Sequence, residues 1–144
     1  MSYFIRLFTP QLVPTLVPVQ AQLIRHGFQV KPVATNQLDI FYHPHHPPFA
    51  IDLTDSNSPT TRQDIMGFIE AVSRLNIDPP NQTLVLDVLA RTRALLAVGV
   101  PDGFSRQFDA ALDILLEYVG DVAEGLFQVD GQGFYDGDTL ILRL

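Results

Sequence analysis

The chain has 144 residues, of which 47% are hydrophobic and 17% charged, and its 16 acids against 9 bases give a net charge of −7. The size suits one domain, 1–144, and the apolar content excludes a disordered chain. The acidic balance excludes a broad nucleic-acid or anionic-membrane surface, and the lack of cysteine excludes disulfides, thiolate zinc sites and cysteine nucleophiles.

Tyr3 to Phe8 reads as a strand ending at Thr9-Pro10. Pro10, Pro14 and Pro18 rule out one uninterrupted helix through this stretch, because an interior proline loses a backbone bond and clashes with the preceding turn. The spacing predicts a helix from Pro18 to Arg25, with His26 as a cap residue and Gly27 where a left-handed cap belongs. Neither the N-terminal residues nor any later run has the pattern of a secretory signal or a membrane span.

Three strands are expected next, Phe28 to Val33, Leu38 to Tyr42 and Phe49 to Leu53. His43-Pro44-His45-His46-Pro47-Pro48 is a connection, since prolines interrupt a ladder, and it closes a wide hairpin. Alternation buries residues 49, 51 and 53 and turns Ala50 and Asp52 the other way. The first and second strands would pair in parallel if they share the sheet.

A helix begins among Ser58, Thr60 and Thr61, each a possible cap, and carries the stripe Ile65, Phe68, Ile69, Val72. Residues 82 to 98 are expected as a second helix, apolar almost all round and hence the most buried, with Asp87 and Arg91 paired. A strand over Thr83 to Leu86 is the alternative there, but Leu, Ala and Arg favour helix. After a break at Gly99 to Gly103, Ser105 caps a helix with Phe108, Ala111, Leu112, Leu115 and Val119 inward. Asp109, Asp113 and Glu117 run down its other side. The chain closes with strands at Leu126 to Val129 and Thr139 to Leu142, and Phe134 and Tyr135 extend the first of these beyond a bulge.

The expected fold is α+β, a mainly antiparallel sheet of about five to six strands with about three to four helices on one face. Its order is β-α-β-β-β-α-α-α-β-β.

Two groups of residues suggest chemistry. His43, His45 and His46 offer imidazoles to zinc, nickel or copper, with Asp39 or Asp52 to complete a site. Against this, neighbouring His45 and His46 point apart in extended backbone, and a proline-rich turn explains the segment equally. Asp130, Asp136 and Asp138 flank glycines as calcium or magnesium ligands would, but their order lacks the EF-hand pattern and suits plain turns. No nucleophile elbow, Walker loop or dinucleotide fingerprint is present.

With no convergent catalytic set and no cofactor implied beyond a possible divalent metal, the sequence points to a small, acidic, non-catalytic interaction or regulatory module. Its expected setting is cytoplasmic, its partner another protein or a second copy, with no nucleic acid and no membrane. Candidate contacts are Asp52, Asp109, Asp113, Glu117, Asp130, Tyr135 and Asp136. The alternative is a metal-binding protein or small metal-dependent hydrolase using the histidine loop.

Overall fold

In the computed structural model, which describes residues 2–103 and 105–144, the opening run is strand β1 (Tyr3–Thr9), followed by helix α1 (Val17–Arg25). The turn out of α1 closes as expected. Gly27 takes φ +103°, its N–H donates to the Ile24 carbonyl, and the Phe28 N–H donates to the Leu23 carbonyl, both at 3.0 Å. This double bond pattern satisfies carbonyls that a helix end leaves open. Strands β2 (Gln29–Ala34), β3 (Gln37–Phe41) and β4 (Phe49–Asp55) follow. In β4, Phe49, Ile51 and Leu53 are buried while Ala50 is exposed and Asp52 half-buried.

Helix α2 (Pro59–Ser73) starts after Ser58, whose side chain makes no capping bond. The expected helix over 82 to 98 is two elements: helix α3 (Pro79–Arg91) and strand β5 (Ala94–Val100). Pro79 and Pro80 open α3, where a missing N–H costs nothing, and Thr83 to Leu86 is helical. Helix α3 is not buried all round, since Leu84 is 40% exposed. Ser105 does cap helix α4 (Arg106–Val122), its Oγ accepting the Phe108 N–H at 3.0 Å. Strands β6 (Leu126–Val129), β7 (Gly133–Asp136) and β8 (Thr139–Arg143) close the chain. Phe134 and Tyr135 therefore belong to a separate strand that folds back on β6, because Gly131 and Gly133 both take positive φ and turn the chain.

The order is thus β-α-β-β-β-α-α-β-α-β-β-β, and one eight-stranded sheet runs β2-β3-β4-β5-β1-β6-β7-β8. It exceeds the expected five to six strands because β5 and β7 were hidden in other elements. Every neighbouring pair is antiparallel. Strands β1 and β2 share the sheet but do not pair, since β3, β4 and β5 lie between them.

Helices cover both faces, not one. Helices α1 and α4 pack on a core built from Leu7, Ile40, Phe49, Ile51, Leu96 and Val98. Helices α2 and α3 pack on the opposite face, over Phe8, Leu95, Leu126, Phe134 and Leu142. The two covers are offset. The first core draws on β1 and β3 to β5, the second on β1 and β5 to β8. Each pair of helices therefore leaves part of its own sheet face open, and the open part beside α4 lies over β6 and β7.

Candidate functional site

The offset creates a surface cleft of about 820 Å³ between α4 and the C-terminal strands. Tyr3 and Ile5 of β1, Phe127 and Val129 of β6 and Tyr135 of β7 line its sheet side. Helix α4 supplies the other wall with two parallel rows at a spacing of four. Leu112, Leu116 and Gly120 line the interior, and Asp113, Glu117 and Asp121 stand one position further round. The Phe127 ring lies 3.4 Å from where a side chain on Gly120 would begin, so the small residue lets ring and helix meet. Asp138, in the β7–β8 turn, adds a carboxylate from the far side.

The cleft is electrostatically one-sided. The ion pairs Arg6–Asp130, Arg74–Glu70 and Arg91–Asp87 leave Asp113, Glu117, Asp121 and Asp138 without a basic partner among the described residues. Burial, and then the charge of Asp109, push the Tyr3 phenol above its ordinary value. Of the acidic ridge expected from the sequence, Asp109 lies outside the lining, whereas Asp113 and Glu117 reach the cleft together with Tyr135. Its hydroxyl donates to Gln132 Oε1 at 2.5 Å, which fixes the ring against the wall.

Asp121 was missed as a site residue, although it simply continues the spacing of four from Asp109, while Asp138, read from the sequence as a possible turn ligand for calcium or magnesium, stands instead at this cleft. The apolar wall could not be read in advance, because it depends on how α4 sits across β6.

The remaining candidates lie elsewhere. Asp52 faces the other side of the sheet, in the row Asp52, Ala97, Arg6, Gln128. Asp130 is consumed within the fold. Arg6 Nη1 donates to Asp130 Oδ1 and to Gln128 Oε1, each at 2.7 Å, and the Phe4 N–H donates to Asp130 Oδ2 at 3.1 Å. Asp136 is exposed at the end of β7. Asp52, Asp130, Tyr135 and Asp136 therefore share no cleft.

Asp130 makes a pH prediction. Burial raises its pKa, but hydrogen bonds from Gln128, Arg6 and the Phe4 backbone, with the Arg6 charge, outweigh burial and hold it below 3.8. A carboxyl lowered by folding stabilises fully above its unfolded value, and this is lost as pH falls through the folded one. The stability advantage of the native chain over Asp130→Asn should shrink in urea titrations as pH drops below 3.8.

The histidine loop is a closed turn. The His46 N–H donates to the His43 carbonyl at 3.2 Å, and the His45 N–H donates to His43 Nδ1 at 3.1 Å. Tyr42 stacks on His46 with ring centroids 5.4 Å apart. Its hydroxyl is buried without a hydrogen-bond partner among the described residues, and burial pushes that phenol up. Neither Asp39 nor Asp52 completes a site, and among the described residues no group of three or more His, Cys, Asp or Glu stands where it could hold a metal. Among the described residues no helix is long and apolar enough to cross a membrane.

The sequence matches no protein-family model, and neither the curated proteins nor the solved structures gave a match.

Proposed function

We propose that the chain is a small non-catalytic interaction or regulatory module whose α4 cleft receives a basic, amphipathic segment of a partner protein. One observation carries this reading: an apolar interior beside a row of carboxylates that have no basic partner among the described residues. Apolar side chains of the segment would fill the space against Leu116 and Phe127, while its Lys or Arg residues meet Asp113, Glu117, Asp121 and Asp138. Burial supplies affinity and the charges supply steering and choice of partner. The same carboxylates repel a phosphate backbone, so a protein is the fitting partner. The lack of cysteine suits a reducing, cytoplasmic setting. No observation favours the alternative of a metal-dependent hydrolase at the histidine loop.

The test is calorimetric titration with a synthetic peptide of alternating Lys and Leu. Binding should weaken as salt rises, and a peptide with Ser for Leu should bind more weakly. The triple variant Asp113→Asn, Glu117→Gln, Asp121→Asn should lose about tenfold in affinity, the scale of a few exposed ion pairs. Equal binding by the native chain and the triple variant would overturn the proposal.

A further inference from the structure

On the sheet face that carries α1 and α4, one row of facing residues runs Leu96, Leu7, Phe127, Tyr135, Leu140, from β5 through β1, β6 and β7 to β8. Leu96 and Leu7 are buried, whereas Phe127, Tyr135 and Leu140 are half-buried. The helical cover therefore stops at α4 while the apolar face of the sheet continues beyond it. The uncovered width, β6 to β8, is two strand spacings, or about 10 Å. That is the distance at which one helix packs beside another. The cleft thus has room for one more helix in the layer of α1 and α4.

The backbone decides the form of the occupant. Strands β6 and β7 are each paired on both sides within the sheet, so an extended segment lying over them would find no strand edge there. Its N–H and C=O groups would leave water without gaining partners. A helix satisfies these groups internally. Charge decides its sequence. Asp113, Glu117 and Asp121, all exposed, follow one another at intervals of about 6 Å along α4, and Asp138 stands on the opposite wall. A complementary helix carries Lys or Arg at positions i, i+4 and i+8 beside its apolar stripe. This chain does not supply it, because α1 to α4 each hold a single base, Arg25, Arg62, Arg91 and Arg106 in turn.

We propose that the cleft is the seat of a basic amphipathic helix from a different protein, which completes the helical layer over β6 to β8. This rests on the interaction role proposed for the cleft and adds the conformation of what binds there. A helix of about three turns reaches from Asp113 to Asp121. One so short is marginal alone in water, so it forms on binding.

Two synthetic peptides of identical Lys and Leu content separate conformation from composition. In one the leucines recur at intervals of three and four, on one side of a helix; in the other Lys and Leu strictly alternate, in strand order. The helical order should bind at least about tenfold more tightly in calorimetric titration. Mixing it with the protein should raise the far-ultraviolet helix signal above the sum of the separate spectra. A proline at the centre of the helical peptide should remove its advantage. Equal or tighter binding of the alternating peptide overturns the proposal and leaves the interaction role standing, as does binding of the helical peptide in a non-helical form. Failure of both peptides to bind overturns the interaction role and this proposal with it. A dimer in sedimentation equilibrium that the triple variant Asp113→Asn, Glu117→Gln, Asp121→Asn dissolves would give the cleft to a second copy, and likewise overturns the proposal.

Discussion

Phe134→Ala should lower the unfolding free energy by about 3–5 kcal/mol, the usual cost of emptying a buried aromatic site. Phe134 is fully buried on the face covered by α2 and α3. Its ring stands edge-on to Phe68 of α2 at 5.9 Å and tilted to Phe8 of β1 at 6.2 Å. One side chain from β7 thus ties the first strand of the chain to a helix from its middle. Few neighbours can move into the gap, because Phe8 is held by its own strand pairs and Phe68 by its helix. Phe4→Ala is the control. Phe4 is 46% exposed, with Arg6 5.2 Å from its ring, and its loss should cost about 1 kcal/mol or less. Urea unfolding of both variants measures the contrast. Equal losses would mean that the second core is not packed in solution.

That second core depends on strands the sequence does not display openly. Ala94 to Val100 is central in the sheet, between β4 and β1, and the buried positions of both its faces are apolar. Alternation vanishes in such a strand, and a continuous apolar run cannot be told from a buried helix by its period. Joining it to α3 also made that helix look apolar all round. The usable signals were local: Thr92 at the junction and the valines at 98 and 100. By contrast β4 alternates cleanly, and α4 has one apolar and one acidic side, so both were legible. The acidic row of the cleft was legible for the same reason. Its apolar wall was not, because Phe127 and Tyr135 gain a facing helix only through the order of strands. That order is set by long-range pairing, which leaves no mark at any single residue.

The C-terminal strands provide the most selective test of that pairing. Gly133 takes φ +136°, and a Cβ placed on it would lie 2.0 Å from the Leu142 carbonyl oxygen and 2.9 Å from the Arg143 Cα. These are backbone atoms of β8, so no side chain can swing aside. Gly133→Ala must either open the β7–β8 pairing or distort the turn from β6, and should cost about 3 kcal/mol or more. Gly131, two residues earlier, has φ +78° but nothing within 4 Å of an added Cβ. Gly131→Ala meets only the backbone preference and should cost about 1–2 kcal/mol. The two substitutions therefore separate conformational strain from steric exclusion within one turn. They also separate effects on the proposed site. Tyr135 and Asp138 reach the cleft on this same hairpin, so Gly133→Ala should weaken the Lys-Leu peptide even where the chain remains folded, and Gly131→Ala should leave it bound. Peptide binding unaffected by Gly133→Ala in folded protein would place the contact on α4 alone.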